Sequence, residues 1–412
     1  MLHKPLITAL ALLALAAGAP AQTPPDPVSQ LVGQLELDRY KATLQGLTQF
    51  GDRRQGTARN RAALDWIEAQ LKSYGCTNTE RLQYEFTEPA RRGPVQLQPL
   101  RAAGPAAQGG GTLFGKRAPI GVNTDPMAQP DERLRALNAE PTPLGTGLRE
   151  SVYCTKIGTT RPDEMYIVSA HMDGLGFGEA ANDNGSGTAL VMELARILSQ
   201  PGVTTERSIR FILWNNEETG LNGAHAYVAQ RKDRQGIESP PGSGRYPEPK
   251  WLGVIQHDML LFDHGMPVPK LDAAGQPVLD ARGQPVYTAP KEQRAEADVN
   301  VEFQVNSKFA DASAKLAWAM RAANEKYATD YPVAVGNRMT NTDSVPFMDL
   351  APAISVRENE RGMHIGAGWN PHWHQPTDRF STYSDKDFLL GLNAAQTTLA
   401  AVAQLAGVTL KP

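Results

Sequence analysis

The chain has 412 residues, with 41 Lys and Arg against 44 Asp and Glu, and 41% of its residues are apolar. A net charge of −3 with no long cluster of Lys and Arg argues against nucleic acid or an anionic membrane as partner. The balance suits a folded protein with a small substrate, long enough for one α/β domain carrying insertions.

In chain order, Lys4 precedes an apolar stretch over 6–17, and Ala19-Pro20-Ala21 supplies a small-residue cleavage pattern. This predicts a signal peptide over 1–21, removed near Ala21 to leave a secreted or periplasmic protein, and the stretch is too short for stable membrane insertion. The remainder, 22–412, reads as a single domain. A helix is predicted over 57–74, with Thr57 able to cap it and Gly75 to close it. Strands follow over 79–86, 152–157 and 165–170, then a helix over 185–198 and a strand over 208–214. Further on come a helix near 221–229, a strand over 252–257, a long helix over 307–327, a strand over 353–356 and a last helix over 385–406. Such alternation predicts a central mixed, mostly parallel sheet covered on both faces, with the site beyond the carboxyl ends of its strands.

Two stretches interrupt the alternation and read as insertions, at about 91–149 and about 262–297. The first is rich in Gly, Pro and Ala, holds Gly109-Gly110-Gly111, and has one short helical segment over 130–137. In the second, Asp272-Ala273-Ala274-Gly275-Gln276-Pro277-Val278 recurs as Asp280-Ala281-Arg282-Gly283-Gln284-Pro285-Val286, which predicts Gly turns in a hairpin. Either insertion is a candidate wall of the active-site cleft, the alternative being an exposed loop. Cys76 and Cys154 are the two cysteines, and in an exported chain they form a disulfide or remain as two buried thiols.

The chemistry lies at the strand ends. His171 and Asp173 stand two apart where a strand closes, so both leave on one face, as suits a metal-binding imidazole and a carboxylate that orients it. Asp183 sits in Asn182-Asp183-Asn184-Gly185-Ser186-Gly187, where backbone able to bend closely presents a short acidic side chain. Glu217 and Glu218 close an apolar strand, where two adjacent carboxylates repel unless a cation absorbs their charge; one can ligate while the other takes a proton. Asp258 ends another apolar run, and His374 lies in Trp373-His374-Gln375-Pro376-Thr377-Asp378. Each of these, taken singly, is an ordinary loop or turn.

In order, spacing and wording, these residues together with Thr342-Asp343-Ser344-Val345-Pro346-Phe347 resemble the bacterial leucyl-aminopeptidase-like family of co-catalytic zinc exopeptidases, which also holds glutamate carboxypeptidase II and the animal glutaminyl cyclases. The resemblance covers roughly 40–86 and 150–405. It implies a three-layer α/β/α zinc-exopeptidase fold (phosphorylase/hydrolase-like) and two Zn2+ ions: one on His171 and Asp258, the other on Glu218 and His374, with Asp183 bridging. It further implies Glu217 as general base and then acid, Asp173 as the residue that holds His171, and hydrolysis of N-terminal residues from peptides through a metal-activated water. Trp373 departs from the Tyr of many aminopeptidases and matches the cyclases, so the oxyanion donor is open. His257, His264, His364 and His372 are expected to be structural or rim residues; Arg338, Arg357 and Arg361 flank the expected pocket and are either exposed or partners for a substrate carboxylate. The alternatives are a glutaminyl-peptide cyclotransferase on a single zinc, a carboxypeptidase of the glutamate carboxypeptidase type, or a binding relative without metal.

Overall fold

Along Phe211-Ile212-Leu213-Trp214 successive side chains enter two different cores, Phe211 and Leu213 one of them, Ile212 and Trp214 the other. That period-two division of a continuous apolar run is the mark of a strand buried on both faces, and it sets the architecture of this computed structural model. The structure describes residues 26–411 apart from 77, 89–121, 264–269, 282, 284–285, 287–298, 359–369 and 371. The proposed signal peptide, the Gly109 run, His264, His364 and Arg361 lie outside the described residues.

The elements are helices α1 (Pro27–Val32), α2 (Leu37–Thr48) and α3 (Ala58–Ser73), strand β1 (Glu80–Glu88), helix α4 (Glu132–Leu137), and strands β2 (Gly145–Lys156) and β3 (Arg161–His171). Helix α5 (Gly187–Leu198), strands β4 (Val203–Thr205) and β5 (Arg207–Trp214), helix α6 (Asn222–Arg231) and strands β6 (Lys250–His257) and β7 (Val299–Phe303) follow. The chain closes with α7 (Ala310–Tyr327), β8 (Val333–Gly336), β9 (Ala353–Arg357), α8 (Asp385–Leu405) and β10 (Val408–Leu410). Eight strands make one sheet in the order β1-β2-β5-β3-β6-β9-β7-β8. Its middle, β5-β3-β6-β9, is parallel, while β1 on β2, β2 on β5 and β7 on β9 are antiparallel.

Helices α2, α3, α5, α7 and α8 bury their apolar faces on one side of the sheet. The other side is a tighter aromatic core in which Trp214, Tyr227, Trp251 and Phe347 meet with ring centroids 5.2–6.0 Å apart. A buried ion pair, Arg210 to Glu248 at 2.5 Å, sits against that cluster. The sheet and its two covering layers are the expected three-layer α/β/α arrangement. Helix α8 is the one helix among the described residues long and apolar enough to cross a membrane, and it is packed inside the core.

Thr57 caps α3 by accepting the Asn60 N–H, as its position predicts. Strand β2 begins at Gly145, inside the stretch expected to be irregular, because its first residues pair with β1 from Glu88 back. Helix α4 begins at Glu132, where the Asp131 carboxylate accepts the Arg133 and Leu134 N–H groups. Helices α1 and α2 and strands β4, β7, β8 and β10 are short or weakly patterned, and periodicity alone did not reveal them. Cys76 and Cys154 are bridged, with their Cα atoms 6.0 Å apart. Of the two sequence copies, the first has Gly275 N–H bonded to Asp272 O and the second Gly283 N–H to Asp280 O, while residues 282, 284 and 285 of the second lie outside the described residues.

Candidate metal centre

The parallel strands deliver the site. β3 ends on His171, β5 is followed by Glu217 and Glu218, and β6 runs into Asp258. Asp183 comes from the turn 181–186 that leads into α5, and His374 from the loop before α8. His171, Asp183, Asp258 and His374 are buried, while Glu217 and Glu218 are partly so. With Leu221, Met259, Asn341, Arg357 and Trp373 they line a cavity of about 350 Å³.

The Asp183 carboxylate faces two ways. Its Oδ1 lies 3.3 Å from His171 Nε2, and its Oδ2 lies 3.0 Å from His374 Nε2. His171 Nε2 is also 3.5 Å from Asp258 Oδ1, and His374 Nε2 is 2.7 Å from Glu218 Oε2. Among the described residues three donor groups result, His171-Asp183-Asp258, Asp183-Glu218-His374 and His171-Glu217-Glu218, and within each the ligand atoms are no more than 4.8 Å from one another. Glu218 Oε1 is buried with no hydrogen-bond partner, which is costly for a carboxylate oxygen unless a cation takes it up. Nitrogen and carboxylate donors of this kind suit zinc.

The Asn residues around Asp183 explain the wording of its motif. Asn182 Oδ1 accepts the Leu260 and Leu261 N–H groups, while Asn184 donates to His257 O, so both tie the turn to the end of β6. From the other side, Asp378 accepts the Asn182 and Asp183 N–H groups at 2.8 and 3.0 Å. A Cβ at Gly187 would stand 2.6 Å from Asn184 Oδ1 and 2.8 Å from His257 O, so only glycine lets the strand end approach the turn.

Asp173 meets His171 differently from the expectation. His171 Nδ1 lies 3.1 Å from the Asp173 backbone oxygen, and the carboxylate, 3.9 Å away, instead accepts the Glu217 N–H at 3.1 Å and the Glu218 N–H at 3.5 Å. That arrangement places the His171 proton on Nδ1 and leaves Nε2 for a cation. Arg357, grouped by sequence with exposed arginines, is buried and bonds to Asp258 Oδ2 at 2.9 Å, because β9 lies beside β6 and carries it to the site. Arg338 is exposed. His257 is buried between Ser169 O and Thr398 Oγ1, and His372 pairs with Thr377 Oγ1, neither among the converging groups. Trp373 stacks on His374, with centroids 4.0 Å apart.

Electrostatics in the cluster favour positive charge at its centre. Burial pushes the His374 imidazole down, but Glu218 and Asp183 lift it to about 11; His171 rises well above its ordinary value against burial, through Glu217, Asp183 and Asp258. Burial would raise the Asp258 carboxyl, yet Arg357 and His171 hold it down at about 2. Glu217 goes the other way: burial, with Glu218, Asp343 and Asp258 nearby, raises it well above the usual range despite His171. A carboxyl raised in this way has a strengthened affinity for protons, as a group that accepts and returns one needs.

Some positioning residues carry no motif. Arg53 is fully buried with φ of 51° and donates to the carbonyls of Gly51, Met172, Glu179 and Ala180, joining the turns that bear His171 and Asp183. Nothing in Gly51-Asp52-Arg53 signals that role. Gln129 is another such residue.

Residues 152–266 match the model of peptidase family M28. Aminopeptidase YwaD of Bacillus subtilis is 43% identical over 74 residues, 18% of this chain and 16% of that protein. A probable lipoprotein aminopeptidase LpqL of Mycobacterium tuberculosis is 33% identical over 131 residues, 32% of this chain and 24% of that protein. The matched stretches thus span less than a quarter of these curated relatives. The fold is similar to that of BSAP, a zinc aminopeptidase from Bacillus subtilis, with TM-score 0.57 and 17% identity over 92% of this chain and 97% of that one. Porphyromonas gingivalis glutaminyl cyclase is similar too, with TM-score 0.52 and 18% identity over 90% of this chain and 99% of that one. The similarity to peptidase family M28 thus covers residues 152–266, the stretch that carries His171, Asp183, Glu217, Glu218 and Asp258.

Proposed function

We propose that the protein is an exported zinc aminopeptidase that holds two zinc ions and removes N-terminal residues from peptides. The observation that carries this reading is the division of one carboxylate: Asp183 turns Oδ1 to His171 and Oδ2 to His374, each the imidazole of a separate donor group. In this reading His171 and Asp258 hold one zinc, Glu218 and His374 the other, and Asp183 both. Bound there, zinc supplies Lewis acidity toward the scissile carbonyl and lowers the pKa of water.

The chain's own residues do the rest. Glu217 takes the proton of the attacking water and returns it to the leaving amine, a task suited to its raised affinity for protons. Asp173 fixes the backbone of Glu217 and Glu218 by accepting both N–H groups, so the base and its neighbouring ligand move as one. Trp373 lies flat against His374 at the rim, where its indole limits the rotation of the ring. Release of p-nitroaniline from aminoacyl anilides, abolished by a chelator and restored by zinc, is the expected result; no turnover under these conditions refutes the reading.

Trp373 and the fold shared with a glutaminyl cyclase favour one second reading, closure of an N-terminal Gln on a single zinc. One zinc per chain with cyclisation of Gln peptides would establish it in place of the first. Trimming of N-acylated peptides from their C-terminus would instead indicate a carboxypeptidase.

A further inference from the structure

We propose that residues 122–140, the described end of the first insertion, are a positioning strap for His374, with Gln129 at its centre. This rests on the reading of His374 as a zinc ligand.

His374 has φ of 54°, a left-handed conformation that a residue with a Cβ adopts only where its surroundings hold it. The loop around it packs backbone against backbone on the segment 176–178. A Cβ on Gly176 would stand 2.4 Å from His374 C, and one on Gly178 would stand 2.7 Å from Asp378 O, so the two segments touch without intervening side chains. Such contact leaves carbonyl groups facing inward, and these need donors.

The strap supplies them. Three consecutive carbonyls are taken by three strap amides: Gly176 O by Asn123 Nδ2 at 3.2 Å, Phe177 O by Gln129 Nε2 at 2.8 Å and Gly178 O by Asn138 Nδ2 at 2.9 Å. On the ligand side, the Asn123 N–H bonds to His374 O at 3.0 Å, and Gln129 Nε2 bonds to Pro376 O at 2.9 Å. Gln129 is fully buried, and its one amide joins both segments. Asn138 is also buried and accepts the Asp52 N–H, anchoring the strap to the turn that carries Arg53. At the outer edge Asp131 pairs with Arg379 at 3.1 Å. The strap thus holds the carbonyl of the ligand residue itself and that of Pro376, two positions on, which makes it a positioning element for His374.

Gln129→Met keeps the volume and removes both donors. In the full-length protein, titrated with zinc against a competing chelator, it is expected to weaken one of the two zincs about 10–100-fold, the usual cost of losing a supporting contact, and to leave the other unchanged. Hydrogen exchange at the Gln375 and Asp378 amides, which bond to His372 O and Gln375 O, is expected to quicken at least about tenfold. Should Gln129→Met not fold, Gln129→Asn serves in its place, since the shorter amide can reach only one of the two carbonyls. Unchanged zinc affinity, or equal weakening of both zincs in step with a general loss of thermal stability, overturns the strap. A parent protein that binds both zincs yet releases no N-terminal residue refutes the aminopeptidase reading and leaves the strap standing.

Discussion

The two halves of the proposed metal centre are built on different principles. His171 and Asp258 leave neighbouring parallel strands whose register is set by a ladder, with Ala170 opposite His257 and His171 opposite Trp214. Glu218 and His374 stand on loops, and the carbonyl of His374, in a left-handed conformation, accepts the Asn123 N–H. A residue at the end of a central strand inherits its position from the core, because a one-residue slip in register would move every buried side chain into the opposite core. One on a loop has no ladder, so contacts from other segments hold it: the Asp173 carboxylate accepts the Glu218 N–H, and the Asn123 N–H donates to His374 O.

That contrast can be tested at several strengths. Glu217 stands at the boundary of the halves, and Glu217→Gln is expected to lower kcat about 10²–10⁴-fold while zinc content stays at the parent value. Full activity in the zinc-loaded variant would remove Glu217 from its role. Arg357→Met bears on the sheet-borne half, since it strands the buried Asp258 charge; chelator-treated protein should lose about 3–5 kcal/mol of unfolding free energy, and zinc should recover much of it. An equal loss with and without zinc would show that Asp258 does not face a metal.

Replacing both Cys76 and Cys154 with Ala should cost about 2–4 kcal/mol in denaturant unfolding, and a null effect would exclude the bridge as a stabiliser. His257 gives a smaller, pH-confined effect. Burial holds it near pKa 4, below its ordinary 6.5, so the neutral form favours folding above pH 6.5 and that contribution is lost as pH falls toward 4. The loss amounts to roughly 3 kcal/mol at most, and His257→Gln should flatten the melting temperature across that window while changing little at pH 8. The direct comparison of the halves is smaller still in free energy. A chelator titration should extract the loop-held zinc at least about tenfold more readily, a difference of about 1.4 kcal/mol, and simultaneous loss would erase the distinction between them.

Much of the fold is written in local pattern. The runs that became β3, β5 and β6 are apolar and bounded, and the 3.6-residue pattern that became α3 and α5 places their helices to within three residues. Strands β7 and β8 escaped because they are short and their pattern does not differ from that of a loop; they are strands by virtue of pairing with β9 and with each other. The converging residues His171, Asp183, Glu217, Glu218, Asp258 and His374 were picked out in sequence by their joint resemblance to a known family; five of them also stand near a strand end or a helix start, while His374 stands on a loop. Arg53 and Gln129 were not, and Arg357 was read only as an arginine flanking the pocket, for their partners are backbone carbonyls or side chains far away in the chain, and no spacing records such contacts.

By itself, then, the sequence determined the alternation of strands and helices, the donor types available and their order, because periodicity and side-chain chemistry are local properties. Only the tertiary structure decided that one Asp183 carboxylate serves two imidazoles, that Asp173 holds the glutamates through their N–H groups, and that an insertion fastens His374. Those are relations between segments separated by tens to hundreds of residues, set by strand register and by the need to satisfy every buried carbonyl.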